Sequence, residues 1–366
     1  MRLEGPVPVE ALASIRAPFA GAGAVLTDAP VLQPLALLLD LAGEAMRSRL
    51  FVVQGEGGEE AALRPDFTIP IARAHIDSGA ASGRYLYEGK AFRVAPPGSG
   101  RAEEFLQVGL EVYGGSDAAA DDAEVATLAW QAASAGGRDD LTLMLGDVSL
   151  FSAFVDSLSL EPALTARLKR AFSRPRLLKA ELDRQPQGAE ASRIAALLAG
   201  LPEVEAVGVL EELWTLAGIQ PVGGRSAAEI AHRLVEREQQ ARGARLGEGE
   251  VEKIRGFLSI SDTPERALDQ IAKLSGNMMG ALEIWSRRLT AMRGINADRM
   301  RLSTGFGRSF GYYDGMLFEV RSAALGDDQP VAAGGRYDGL PARLGGTATT
   351  AVGCMVRPAR AYGGKA

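Results

Sequence analysis

The sequence predicts an α+β fold in which an antiparallel β-sheet is flanked by helices and interrupted by a helical insertion domain. Two strand-like segments, 85–94 and Glu104–Tyr113, flank a turn with the sequence PPGSG, as an antiparallel pair requires. From about residue 161 to 298 the sequence is helical in character, and strand-like, glycine-rich sequence then returns. We therefore predict a discontinuous core, 1–160 and 299–366, and a mainly helical insertion, 161–298.

Local patterns support the individual elements. The strand Glu104–Tyr113 alternates, with Leu106, Val108, Leu110 and Val112 on one face. Further strands are predicted at 141–145 and 316–320, and a helix at 121–135, which the pair Gly136–Gly137 ends.

Helix-start signals lie within the predicted insertion. Ser226 and Glu229 form a capping-box pattern, and Thr263 followed by Pro264 reads as the N-cap and first residue of a helix. These signals support short helices in this part of the chain.

Composition excludes several classes of protein. The 366 residues carry a formal net charge of −6 without a clustered basic segment, which argues against a nucleic-acid partner. One cysteine, Cys354, excludes an internal disulfide framework, and two histidines, His75 and His232, exclude a multi-histidine metal site. The N-terminus has no secretory signal, and no apolar run is long enough to span a membrane, so a cytoplasmic protein is expected.

The 44 glycines produce only near-matches to phosphate-binding motifs. The segment from Gly305 to Gly311 is one residue too long for a dinucleotide fingerprint, and Gly83 to Lys90 is too long for a P-loop. Gln107 and Glu111, in contrast, share a strand face about 13 Å apart at about 3.4 Å per residue. They could bracket a small zwitterion, or this face could simply meet water.

Four segments resemble histidyl-tRNA synthetases and occur in that family's order. They are LRPDFT at 63–68, GRAEEFLQVGLEVYG at 100–114, GYYDGMLFE at 311–319 and GGRYDGL at 334–340. Residues 27–32, 92–111 and 351–360 stand where the family has its motifs 1, 2 and 3. The resemblance implies the class II aminoacyl-tRNA synthetase fold, which usually forms a homodimer through motif 1.

The same resemblance implies a pocket for histidine. Asp66, Thr68, Gln107 and Glu111 match the positions that hold the α-amino group and the imidazole, and Tyr313 and Tyr337 match the aromatic walls. The full predicted ligand pocket is Asp66, Thr68, Gln107, Glu111, Arg308, Tyr312, Tyr313 and Tyr337. Such a ligand needs carboxylates for its ammonium group, a partner for a ring nitrogen and flat apolar surfaces around the ring.

The ATP site of the synthetases looks degenerate in this sequence. Its predicted remnants are Arg93, Ala95, Glu103, Arg357 and Arg360. Arg93 remains, but Ala95 stands where motif 2 has a carboxylate and Glu103 where it has an arginine. Arg357 replaces the motif 3 glycine that would let adenine lie close to the backbone. Losing such groups should cost transition-state stabilisation.

A synthetase-like core with these departures, and without an anticodon-binding domain after motif 3, is similar to the regulatory subunits of ATP phosphoribosyltransferase. That resemblance implies a non-catalytic protein without a cofactor, active in the first step of histidine biosynthesis. Its partner would be a short-form catalytic subunit, its effector histidine, and its assembly a homodimer within a hetero-octamer. Two alternatives remain: a minimal ligase that activates histidine with ATP, and a stand-alone amino-acid sensor.

Overall fold

A computed structural model describes residues 2–42, 44–183, 245–275, 277–307 and 312–363, with a few positions between 201 and 212. The chain divides into two compact units, Met1–Leu158 with Lys253–Ala366, and Ser159–Glu252. The predicted capping box at Ser226 and Glu229 lies outside the described residues, as do His232 and Arg308.

Twelve strands are found among the described residues, and most of them belong to one large sheet. In chain order they are β1 Val25–Leu26, β2 Leu32–Pro34, β3 Val52–Gln54, β4 Glu60–Leu63, β5 Gly83–Phe92, β6 Glu104–Tyr113, β7 Leu141–Asp147, β8 Ser261–Asp262, β9 Met300–Ser303, β10 Met316–Ser322, β11 Ala332–Arg336 and β12 Ala351–Val356. The large sheet has the order β1-β5-β6-β12-β11-β10-β7-β9-β8, and a small sheet has the order β2-β4-β3.

The sheet is mainly antiparallel, which confirms the predicted fold class. β5 pairs with β6 antiparallel over ten residues, with Tyr85 opposite Glu111 and Gly89 opposite Gln107. β1 with β5 and β7 with β9 are the parallel pairs. The predicted strands at 141–145 and 316–320 correspond to β7 and β10, each two residues longer than expected.

Helices account for most of the remaining described structure. They are α1 Val9–Gly21, α2 Leu35–Ala42, α3 Thr68–Ser78, α4 Ala118–Ser134, α5 Val148–Ser157, α6 Pro162–Phe172, α7 Pro175–Leu182, α8 Glu248–Leu258, α9 Pro264–Leu274, α10 Met279–Ala291, α11 Gly339–Arg343 and α12 Pro358–Ala361. A 3₁₀-helix, Glu44–Arg49, follows α2, and another, Ala297–Arg299, precedes β9. Within the second unit, Arg167 of α6 pairs with Glu181 of α7 at 2.9 Å.

Helix α4 covers one face of the large sheet. The Asp117 carboxylate caps it by accepting hydrogen bonds from the backbone N–H groups of Ala119 (3.1 Å) and Ala120 (3.2 Å). Its buried face is mostly alanine, so the helix can approach β10, β11 and β12 closely. The opposite face of the sheet is left for the candidate site.

The predicted insertion, 161–298, extends too far along the chain. The second unit ends at Glu252, and α9 and α10 belong to the unit that contains the sheet. The buried Arg288 of α10 reaches Asp122 of α4 at 2.6 Å and Asp147 at the end of β7 at 2.7 Å. Trp285 donates its indole N–H to Asp147 at 3.0 Å. These buried polar contacts and the pairing of β8 with β9 explain why residues 253–298 pack with the core.

Membrane spans and metal clusters are both missing from the described residues. No helix in this part of the chain is long and apolar enough to cross a membrane. Nor does the described structure bring together three His, Cys, Asp or Glu side chains in a way that could hold a metal ion.

Candidate functional site

The centre of the large sheet carries the candidate site on the face opposite α4. Residues paired across neighbouring strands point to the same face, so Glu111 of β6 shares its face with Tyr85 of β5 and Gly353 of β12. Glycine is required at position 353, because a Cβ there would overlap the Glu111 carboxyl group. The Glu111 carboxyl group occupies the space that a side chain at position 353 would fill.

Glu111 is a buried acid held by two hydroxyl groups. Its side chain is hydrogen-bonded to the Thr68 hydroxyl at 2.9 Å and to the Tyr337 hydroxyl. Burial raises the pKa of Glu111 to about 8; the two hydrogen bonds oppose this shift, and nearby Asp66 adds to it. The Tyr337 hydroxyl also lies 3.4 Å from the Tyr113 hydroxyl, which extends the network.

Gln107 lies four residues before Glu111 on the same strand face and is fully buried. Neither its amide nitrogen nor its amide oxygen has a hydrogen-bond partner among the described residues. A buried polar group without a partner costs about 1–3 kcal/mol, so this amide is suited to a ligand that supplies both a donor and an acceptor. The burial of Gln107 and Glu111 excludes the alternative that this face simply meets water.

A narrow cleft lies on the same side of the sheet, and Gly353, which faces Glu111, is part of its wall. Asp66, Thr68 and Arg93 contribute polar groups to its wall, and Tyr312 and Tyr313 contribute rings. Arg93 lies 3.9 Å from Asp66 and donates to the Pro65 carbonyl at 2.8 Å.

Three of the predicted tyrosines form one aromatic cluster. The ring centroids of Tyr312 and Tyr313 are 4.7 Å apart, and both rings meet Tyr337 edge to face. This arrangement provides flat apolar surfaces next to the Glu111 carboxyl group. The structure therefore brings together Asp66, Thr68, Glu111, Tyr312, Tyr313 and Tyr337. Gln107 lies farther along the same strand face, and Arg308 is outside the described part of the chain.

The sequence alone did not identify the aromatic layer that supports the pocket. His75 of α3 stacks on Tyr113 with centroids 4.3 Å apart, and its Nδ1 lies 2.8 Å from the Tyr85 hydroxyl. Burial lowers the pKa of His75. Phe67 stacks on Tyr87 at 4.4 Å. Tyr85 and Tyr87 alternate along β5, the strand that pairs with β6. This pattern could have indicated aromatic rings beside the polar face of β6.

The predicted remnants of an ATP site lie near the beginning of β6, and the chain itself fills that region. The Arg357 guanidinium lies 3.4 Å from the centroid of the Phe105 ring and pairs with Glu4. Arg360 lies 3.4 Å from the same carboxylate and donates to the Pro330 carbonyl at 3.0 Å. Burial, with Arg360 nearby, lowers the pKa of Arg357 to about 9.

The other predicted remnants make local contacts. The backbone N–H of Ala95 lies 3.4 Å from a carboxylate oxygen of Glu103, and the backbone N–H of Arg93 donates to the Glu103 carbonyl at 2.8 Å. Glu103, at the end of the β5–β6 connection, thus hydrogen-bonds to residues at its start. Cys354 is buried on β12, and burial raises the pKa of its thiol, so it is a poor nucleophile.

Comparisons with known proteins agree with one another. The family model for histidyl-tRNA synthetase matches residues 10–213 and 203–360. An ATP phosphoribosyltransferase regulatory subunit from Mesorhizobium japonicum is 36% identical over 363 residues, covering 94% of each chain. A protein of the same name from Chelativorans sp. is 35% identical over 339 residues, covering 89% of each chain.

Solved structures show the same fold. An ATP phosphoribosyltransferase regulatory subunit/histidyl-tRNA synthetase from Bacillus halodurans has a TM-score of 0.65 at 19% identity, covering 97% of this chain and 79% of that one. Histidyl-tRNA synthetase from Nostoc sp. PCC 7120 has a TM-score of 0.62 at 17% identity, covering 96% and 70%. The large antiparallel sheet and its flanking helices are therefore those of a class II synthetase core.

Proposed function

Because the chain belongs to the family of ATP phosphoribosyltransferase regulatory subunits, we propose that it controls a short-form catalytic partner in the first step of histidine biosynthesis. In this proposal the chain does not catalyse a reaction itself and needs no cofactor. Histidine binds in the cleft on the sheet and acts as the feedback effector.

The chemistry of the cleft supports histidine as the ligand. The Gln107 amide offers an unpaired donor and acceptor, and Asp66 lies in the wall as a partner for an ammonium group. Glu111 is placed for a ring nitrogen, next to the rings of Tyr313 and Tyr337. The single observation that carries the proposal is the fully buried Gln107 amide, whose nitrogen and oxygen both lack a partner among the described residues.

The closed region at the start of β6 supports a non-catalytic role. A synthetase-like enzyme would need space for adenine next to the motif 3 position, which is residue 357 here. Arg357 instead covers the Phe105 ring and is tied to Glu4 in the N-terminal segment. A guanidinium stacked on an aromatic face is a favourable contact that a nucleotide would have to displace.

Regulation by a bound ligand requires a preference for one arrangement of the complex. Histidine would bind that arrangement more tightly and shift its population, which changes the activity of the partner. A homodimer within a hetero-octamer is the proposed assembly, in the cytoplasm. Exposed apolar residues in motif 1, Val31 and Leu32, and in the adjoining edge strand β1, Val25 and Leu26, support this region as the homodimer surface.

The test is a mixing experiment with a purified short-form ATP phosphoribosyltransferase. We expect the catalytic rate to depend on this chain, and histidine to inhibit only when the chain is present. The variant Gln107→Leu should keep the activation and lose the inhibition, whereas the exposed control Glu10→Gln should keep both. Identical rates and identical histidine sensitivity with and without the chain would contradict the proposal.

The arginine retained at position 93 favours a second candidate, a ligase that activates histidine with ATP. Arg93 lies in the wall of the cleft, where it could meet an α-phosphate. Histidine-dependent ATP–pyrophosphate exchange distinguishes the two functions. A regulatory subunit gives no exchange above background, and a ligase gives exchange that depends on Arg93.

A further inference from the structure

The Glu111 carboxyl group is buried without a counter-ion. No Lys or Arg nitrogen lies within ion-pair distance of it among the residues that the structure describes, and its two partners are the neutral hydroxyls of Thr68 and Tyr337. A buried carboxylate is costly unless it is paired with a cation. Since hydroxyl groups accept as well as donate hydrogen bonds, a protonated Glu111 keeps both contacts.

None of the titratable groups that face Glu111 supplies a positive charge that would stabilise its carboxylate form. Those that face it are the tyrosines Tyr87, Tyr113 and Tyr337, the Cys354 thiol and the Asp66 carboxylate. Burial raises the pKa values of the three tyrosines and of the thiol, so these groups stay uncharged. Two charged groups lie farther out, Asp66 and the Arg93 guanidinium 3.9 Å from it, and the charge of Asp66 raises the pKa of Glu111.

We propose that Glu111 is a neutral carboxylic acid in the free pocket, and that it donates its proton in a hydrogen bond to the unprotonated ring nitrogen of a bound imidazole ligand. This inference rests on the proposed function, which makes histidine the ligand. Acid and ring both remain neutral in the complex.

The difference in acidity explains why the proton stays on Glu111. The pKa of Glu111 is about 8, above the value of about 6.5 for an imidazole ring, so transfer to the ring is unfavourable. An imidazolium ring has no lone pair to accept the hydrogen bond. The pocket therefore selects neutral histidine rings, and affinity has a maximum between about pH 6.5 and 8.

The first experiment examines the free chain, without any ligand. Infrared difference spectra between wild type and Glu111→Gln should contain the carbonyl band of a protonated carboxyl group at pH 7, and the band should fade as pH rises through about 8. The matched control Asp66→Asn should retain the band. Absence of the band at pH 7 in a wild-type chain with a native thermal transition would overturn the inference.

The second experiment measures histidine affinity by calorimetry between pH 5.5 and 9.5. Wild type should weaken about tenfold per pH unit above about 8 and also below about 6.5. Glu111→Gln, whose amide is a permanent neutral donor, should bind within a few fold at pH 7 and lose only the decline above pH 8. Affinity that rises on acidification below 6.5 would show an ionised Glu111 and overturn the inference.

The two experiments separate this inference from the proposed function. A carboxyl band without any histidine binding would overturn both the effector role and the donated hydrogen bond, and would leave the neutral acid established. Histidine binding without the band would support the effector role and refute the neutral acid.

Discussion

The two ends of strand β6 differ in how their buried polar side chains are paired. At Gln107 and Glu111, the chain leaves an amide without a partner and an acid without a cation among the described residues. At Phe105, the chain covers the ring with Arg357 and pairs that arginine with Glu4. We expect a ligand at the end where both polar atoms of the amide lack a partner, whereas at the other end the guanidinium is paired with a carboxylate of the chain itself.

The largest expected effect concerns stability and pH at the open end. An acid whose pKa is raised from 4.5 to about 8 on folding contributes stability that is fully present below pH 4.5 and is lost as pH rises through about 8. Between pH 5 and 8, wild type should lose roughly 4 kcal/mol of unfolding free energy relative to Glu111→Gln, at about 1.4 kcal/mol per pH unit. Urea unfolding of both proteins at several pH values measures this, and a constant difference would contradict it.

At the closed end, Glu4→Ala should reduce the free energy of unfolding by about 3 kcal/mol. The substitution leaves Arg357, which is 4% exposed, as a buried cation without its acid, and the penalty for such a break is about 3–5 kcal/mol. Chemical denaturation measures the loss. Histidine affinity should stay within about twofold of wild type, because Glu4 lies at the other end of β6 from the proposed histidine site. A large loss of affinity would contradict the separation of the two ends.

Glu111→Ala should weaken histidine binding by about 100-fold or more. The ring nitrogen of the ligand would lose its partner in a buried site, at a cost of about 1–3 kcal/mol, and the cavity left behind adds to this loss. Calorimetry with free histidine measures the effect, and Glu4→Ala serves as the control from the other end of the strand. An undiminished signal would move the effector site elsewhere in the chain.

The sequence was sufficient to predict the main antiparallel sheet. The turn at 96–100 with alternation in β6 predicted the antiparallel pair, and a period of two placed Gln107 and Glu111 on one face. Whether that face is covered depends on α3 and on Tyr312, which are remote in sequence from β6. Burial therefore had to come from the tertiary structure.

The predicted end of the insertion, residue 298, was wrong because it too depends on tertiary contacts. An amphipathic helix such as α10 has the same pattern whether it packs within an insertion or against the sheet. Its assignment depends on Arg288 meeting Asp122, 166 positions earlier in the chain. The contact of Glu4 with Arg357 spans 353 positions and was equally hidden, although the substitution at residue 357 was visible.

Gln107→Leu should give the smallest change in stability, and its direction is informative. Replacing an unpaired, fully buried amide by an apolar side chain of similar size removes a desolvation penalty, so the free chain should gain about 1–2 kcal/mol in unfolding free energy. Histidine binding should weaken at least tenfold, because the ligand loses a donor and an acceptor. Urea unfolding and calorimetry on the same preparation test both parts. A destabilised variant would mean that the amide is satisfied in the free chain, and the contrast between the two ends of β6 would then no longer mark the ligand site.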